Sequence, residues 1–259
     1  MLYLHHGIIF IYTKDLIRSD CLLPYIMIFG HRLYLYGVAI LTGVLLANVL
    51  SVWVLKKYNE SIDAFLTLES FVLVGITIGS WLIVKGNHSS LGAAAGGLVF
   101  FFSGIFIIKK DPRLYLERLV FVFPLVLSFS RIGCFLAGCC YGIPYSGKFA
   151  IVFPQGSLAP AGIPLFPVQP LESVLLMILA AFLFFRYSCA AVPRIVLAET
   201  MAFYAVLRFF IDFLRSHDYN MIHGYRLSLS QILCVIILIV SIIIKVLPEG
   251  VYNKEGFHD

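Results

Sequence analysis

The feature that most constrains this chain is the recurrence of apolar windows about 20 residues long, the length a helix needs to cross a hydrocarbon core about 30 Å thick. Inside a bilayer every backbone N–H and C=O must find its partner within the protein, so such windows fold as membrane helices. Seven are readable, over 33–55, 65–84, 91–108, 119–138, 171–187, 195–214 and 227–246. The expected fold class is an all-α membrane protein of about seven transmembrane helices. It divides into an N-terminal extracytoplasmic lead-in over 1–32, a membrane domain over 33–246 and a cytoplasmic tail over 247–259. Composition agrees, with 61% hydrophobic and 13% charged residues, against about 25% charged in soluble domains.

A formal net charge of +5 would raise nucleic-acid binding in a soluble protein. Here the basic residues gather in short connections between apolar windows, which is what orientation in a membrane produces, and no nucleic-acid partner is expected. With the N-terminus outside, the inside segments hold Lys56, Lys57, Lys109, Lys110, Arg113, Arg118, Arg186, Arg194, Lys245 and Lys254. The outside segments hold Lys14, Arg18, Arg32, Lys85, Lys148, Arg215 and Arg226, so the bias favours N-terminus out and C-terminus in. Residues 1–32 contain charges and no clear small-residue cleavage site, and read as a short amphipathic lead-in rather than a removed signal. The longest connection, 142–170, carries Pro144, Pro154, Pro160, Pro164, Pro167 and Pro170 and falls on the extracytoplasmic side between the fourth and fifth spans. Long loops on a helical scaffold often carry function, although a plain surface connector fits equally.

Ions inside apolar spans are the sharpest functional signal, since each costs a few kcal/mol or more unless paired or facing water. Glu69, Arg131, Glu172, Glu199, Arg208 and Asp212 are such ions. Arg208 and Asp212 lie four apart and share a helix face, which fits an ion pair that simply joins helices. Arg131 brings a second cation toward the same outer side, and two guanidiniums near headgroup level make a bidentate clamp for a phosphate. Glycines after Arg131 permit close approach of backbone to a ligand or, equally, to a neighbouring helix.

The cysteines of SRIGCFLAGCCYG are weighed separately. Cys134, Cys139 and Cys140 have a C-x4-C-C spacing that matches no common zinc pattern. Packing of small apolar side chains at a crowded helix end leads, catalytic thiols or a disulfide follow, and a metal site comes last. No metal and no cofactor is expected.

These residues resemble the prolipoprotein diacylglyceryl transferase family over about Arg32 to Lys245. LYLYGV at 33–38 is similar to its first-helix Trp-Tyr-Gly segment, and SRIGCFLAGCCYG to its Gly-Arg-x-Gly-Asn-Phe signature with a closing glycine. FPVQPLE at 166–172 resembles His-Pro-x-Gln-x-x-Glu, YAVLRFFIDFLR resembles Tyr-x-x-x-Arg-x-x-x-Glu-x-x-Arg, and LSLSQIL at 227–233 resembles Ser-x-Gly-Gln. The resemblance implies a multi-pass enzyme of the bacterial plasma (inner) membrane. Its donor is phosphatidylglycerol, its acceptor the lipobox cysteine of a preprolipoprotein, and its surroundings membrane lipids. By position it assigns Arg131 and Arg208 as catalytic arginines, and Tyr36, Gly142, Glu172, Asp212, Gln169, Gln231 and Arg215 as substrate-binding residues.

Three departures stand out. The family histidine opening the third helix reads Leu91, the signature asparagine reads Cys134, and the histidine before Pro167 reads Phe166. His88, one turn before Leu91, is the candidate base in its place, against the plainer reading of a solvated loop histidine. A cationic site also generates thiolate without a dedicated base. Other readings stay open: a paralogue with a different acceptor, a lipid or anion transporter, and a thiol redox membrane protein. The chain shows no repeated halves of the kind many transporters carry.

Overall fold

The computed structural model describes residues 2–5, 8–11, 25–28, 31–82, 90–109, 119–188, 193–216 and 228–246. Among them stand seven helices: α1 (Leu35–Lys57), α2 (Ile62–Leu82), α3 (Ser90–Ile108), α4 (Val122–Ala137), α5 (Val168–Ser188), α6 (Pro193–Phe213) and α7 (Leu229–Val246). Each coincides with one of the apolar windows to within a few residues at either end. His88 lies outside the described residues, as do the 247–259 tail and most of the lead-in. The described parts of that lead-in form two antiparallel hairpins, β1 (Leu2–His5) with β2 (Ile8–Ile11) and β3 (Tyr25–Ile28) with β4 (His31–Tyr34), where the sequence read only an amphipathic stretch.

Large apolar side chains stand exposed on the helices, and the buried interior holds ions beside its apolar residues. Phe106, Trp81, Phe185 and Phe210 are more than 60% exposed on the helices, whereas Glu172, Asp212 and Arg215 are at most 5% exposed. An apolar outer surface with the few ions turned inward is the arrangement of an α-helical membrane protein. Four helices, α1, α2, α5 and α7, are long and apolar enough over their described residues to cross a membrane. Helix α6 carries Arg194, Glu199, Arg208 and Asp212 and so lacks a comparable apolar window. With 16 residues, α4 is about 24 Å long.

Two compact units are distinguishable, one of residues 48–119 and one of 1–47 with 120–259. In the first, α2 and α3 run antiparallel through facing glycines, Gly75 against Gly96 and Gly79 against Gly92. A Cβ on Gly79 would stand 2.8 Å from the Gly96 Cα and closer still to the Gly92 carbonyl oxygen. Small residues at this spacing let backbones meet where no hydrophobic force drives helices together in lipid. Leu55, Phe65, Leu68 and Ile105 form the buried cluster beside this seam. Asn48 Nδ2 donates to Glu69 Oε1 at 2.9 Å, which satisfies one of the intramembrane ions within this unit. Replacing Gly79 with isoleucine is expected to separate the seam and to cost about 1–3 kcal/mol, read as a lower midpoint of thermal unfolding in detergent.

The second unit stacks α4 to α7 as successive antiparallel neighbours. Ser128 and Ser173 clasp α4 to α5, each hydroxyl donating to the other's carbonyl oxygen at 2.9 and 3.0 Å. Arg186 pairs with Glu199 between α5 and α6 at 3.5 Å, and Ser241 Oγ donates to the Ala198 carbonyl between α7 and α6 at 2.8 Å. The start of α1 packs on α4, with no room for a Cβ on Gly43 against Phe129 or on Gly133 against Tyr36. The connection between α4 and α5 is ordered around its own apolar core of Phe153, Ala159 and Leu165, and β5 (Ile151–Val152) pairs with β6 (Pro164–Leu165). Alternating direction brings the end of α4, the start of α5, the end of α6 and the start of α7 together at one end of this unit.

Candidate functional site

That shared end collects the ions. Glu172, in the second turn of α5, is fully buried, near a helix N-terminus whose dipole favours a carboxylate. Its Oε1 lies 3.1 Å from Arg131 Nε on α4 and 3.5 Å from Arg208 Nη1 on α6, and its Oε2 lies 3.6 Å from Arg215 Nη2 just past α6. Arg208 Nη2 also pairs with Asp212 Oδ1 at 3.3 Å, one turn along the same helix. Three guanidiniums face two carboxylates, so the cluster carries one net positive charge. Burial, then the charges of Arg131 and Arg208, lower the pKa of Arg215, and Glu172 offsets this only in part.

Arg215 Nε and Gln169 Oε1 are buried without a hydrogen-bond partner, and Arg131 Nε, Arg215 Nη2 and Glu172 Oε2 meet only as ion pairs and not as well-aligned hydrogen bonds. Guanidinium donors left unbonded in a buried place are costly unless an acceptor arrives. An anion with several oxygens answers that need.

The remaining substrate-binding candidates occupy two kinds of place. Tyr36 sits at the start of α1 against Gly133, which lies two residues after Arg131 and one turn before the end of α4. Gly142 bridges to Arg215, and a Cβ there would run into the Phe166 carbonyl oxygen and lie 3.1 Å from that of Leu214. Gly142→Ala is therefore expected to push the segment 140–143 off Arg215, lowering stability by about 1–3 kcal/mol and activity with it, measured by thermal unfolding and turnover in parallel. Asp212 Oδ2 accepts from Ser228 Oγ, and Ser228 with Gln231 forms a reciprocal cap on α7, through Ser228 N to Gln231 Oε1 at 2.9 Å and Gln231 N to Ser228 Oγ at 3.1 Å. Gln169 Nε2 donates to the Cys139 carbonyl at 2.9 Å. Both glutamine amides thus bond to backbone and hold the frame of the cluster.

The thiols come together beside it. The Sγ atoms of Cys134, Cys139 and Cys140 all lie within 4.8 Å of one another, and all three are free thiols. Helix α4 ends at Gly138 with φ 74°, Cys139 N–H returns to the Cys134 carbonyl at 3.0 Å, and Cys140 takes φ 55°. Arg131 Nη1 is 3.9 Å from Cys134 Sγ. Hydrogen bonds from the Cys134 and Cys139 thiols, then the Arg215 and Arg131 charges, hold Cys140 below the ordinary thiol range, while bonding to Cys134 and Cys140 pushes Cys139 up. Sequence spacing showed no pattern here because the two left-handed residues that fold the thiols onto one another are not readable from it.

Next to the ions, an apolar cavity of about 580 Å³ runs between α5 and α6, lined by Leu175, Leu179, Phe203, Leu207, Phe210 and Leu214 among others. Leu175 is one turn beyond Glu172, and Leu214 adjoins Arg215. An anionic head and an apolar tail therefore have contiguous places.

The family model for prolipoprotein diacylglyceryl transferase matches residues 24–247. The chain belongs to that family. It is 33% identical over 251 residues to phosphatidylglycerol–prolipoprotein diacylglyceryl transferase 2 of Clostridium perfringens, covering 88% of this chain and 96% of that relative. It is 29% identical over 235 residues to the transferase of Clostridium tetani, covering 84% and 94%, and 26% identical over 226 residues to that of Dehalococcoides mccartyi, covering 84% and 75%. The family's transferases are membrane enzymes by the resemblance drawn from sequence, and the exposed apolar helices of this member agree with that setting.

Proposed function

We propose that this protein transfers the diacylglyceryl group of phosphatidylglycerol to the lipobox cysteine thiol of a prolipoprotein. The observation that carries the reading is the convergence of Arg131 and Arg208 on one carboxylate oxygen, with Arg215 on the other, beside an apolar cavity. The cluster's single net positive charge matches the single negative charge of a phosphodiester, whose oxygens answer the unbonded guanidinium donors. The acyl chains extend between α5 and α6.

The acceptor thiolate attacks the glycerol carbon that bears the phosphate. A sulfur–carbon bond forms, the carbon–oxygen bond to phosphate breaks, and glycerol phosphate departs with the electron pair. Arg131 and Arg208 meet the second negative charge that develops on the departing phosphate, which is a stabilisation realised only as the bond breaks. Tyr36 and Gly142 border the place of reaction, and Asp212 orients Arg208.

In this reading all seven helices cross the bacterial plasma membrane, with the N-terminus and the loop between α4 and α5 outside and residues 247–259 inside. The common end of α4 to α7 then lies at the outer surface, where both substrates are met. Purified protein incubated with phosphatidylglycerol and a lipobox peptide is expected to shift the peptide on a gel and release glycerol phosphate. Lipid consumption without a peptide shift would assign another acceptor, and no lipid consumption would leave a lipid or anion carrier.

A further inference from the structure

The three thiols are more than packing. In an extended chain, consecutive side chains point to opposite faces, so neighbours such as Cys139 and Cys140 would diverge. The left-handed backbone of Cys140, a conformation that costs a non-glycine residue about 1–3 kcal/mol, removes that alternation and turns both thiols toward Cys134. The frame around them is fixed from two sides: Gln169 on α5 holds the Cys139 carbonyl, and Ser216 N–H past α6 holds that of Tyr141 at 3.1 Å. Strain retained within a built frame points to a use.

We propose that Cys134, Cys139 and Cys140 form a three-thiolate site for zinc whose open fourth position takes the thiol of the protein acceptor. Tetrahedral thiolates bound at about 2.3 Å stand about 3.8 Å apart, so sulfurs already within 4.8 Å close on an ion by small side-chain rotations. Thiolate ligands select soft or borderline cations, and three protein ligands with a free position is the pattern of reactive rather than structural zinc. Three thiolates and a divalent ion carry one net negative charge, and Arg131 Nη1 at 3.9 Å from Cys134 Sγ stands where it balances that charge. Cys140 is exposed, so the fourth position has an approach.

The site rests on the proposed transferase reading and gives it a direct way to form the acceptor thiolate. Leu91 stands where the family histidine is expected, and Glu172 and Asp212 are both engaged by guanidiniums. A thiol that coordinates zinc gives up its proton outright. The acceptor S–H proton passes to solvent on coordination, the zinc-held sulfur forms its bond to the glycerol carbon, and the electron pair of the broken carbon–oxygen bond leaves on glycerol phosphate. Nothing is oxidised or reduced. Arg131, touching both Cys134 and Glu172, places nucleophile and leaving group one guanidinium apart.

The test uses the full chain in phosphatidylcholine nanodiscs, without donor lipid for the metal measurements and with phosphatidylglycerol added to read transfer. Expected are about one zinc per protein by elemental analysis and, with cobalt substituted, a tetrahedral thiolate spectrum that changes on adding a lipobox peptide but not its Cys→Ser analogue. Cys139→Ser with Cys140→Ser should lose the metal while keeping the unfolding midpoint of zinc-stripped wild type. Three free thiols with no bound metal, or a disulfide among them, overturns the site. A cobalt spectrum indifferent to the peptide thiol overturns the acceptor position. Wild-type transfer by the metal-free double variant would sink this inference and leave the transferase reading standing. A thiol-responsive cobalt site in a protein that never consumes phosphatidylglycerol supports the site and removes the transferase.

Discussion

Arg208→Ala is expected to lower kcat/KM for diacylglyceryl transfer by about 10²–10³-fold, the usual effect of removing a donor aimed at developing charge. The loss should fall mainly on kcat, because the phosphate gains its second negative charge only as the ester bond breaks. Arg208 Nη1 and Nη2 are split between Glu172 and Asp212, at 3.5 and 3.3 Å, so the planar group is held rigidly before any lipid arrives. Arg208→Lys keeps the charge and loses the fork, and should recover only part of the rate. Transfer assays at varied phosphatidylglycerol content separate the two parameters. An unchanged kcat with raised KM would reduce Arg208 to a binding residue.

Glu172→Ala should be more damaging to the protein itself. Removing one partner from a buried ionic network costs about 3–5 kcal/mol, and here it leaves three guanidiniums facing one another with only Asp212 opposed to Arg208. The expected result is a large fall in unfolding midpoint in detergent. Phosphatidylglycerol or inorganic phosphate should restore more of that midpoint in the variant than in wild type, because an anion then does what the carboxylate did. Glu172→Gln, with similar volume and no charge, should sit between the two. A variant as stable as wild type, with no added response to anions, would mean that the guanidiniums do not depend on Glu172 for their placement.

Much of this was legible in sequence, for a physical reason. A bilayer imposes length and apolarity on each span independently of its neighbours, so windows such as 91–108 and 171–187 fall on α3 (Ser90–Ile108) and α5 (Val168–Ser188) with only end differences. The cost of an ion in lipid made Arg131, Glu172, Arg208 and Asp212 conspicuous one at a time. What sequence did not show is how such ions sort. Glu69 finds Asn48, Glu199 finds Arg186, and Glu172 becomes the centre for arginines on two other helices, a grouping that depends on helix direction and rotation. Gln169 and Gln231, assigned by position as substrate-binding residues, bond to the Cys139 carbonyl and the Ser228 N–H, which the spacing alone does not indicate. The thiol cluster was hidden for a similar reason, since the turn at Gly138 and the left-handed Cys140 are conformations rather than a spacing. The hairpins before α1 escaped because four-residue strands leave too short a pattern to read.

The most direct measurement is a structure of the protein in nanodiscs that contain phosphatidylglycerol. The account predicts the lipid phosphate within hydrogen-bond reach of Arg131 and Arg208, with acyl chains between α5 and α6. A headgroup bound elsewhere, with the two guanidiniums turned to separate cavities, would contradict it.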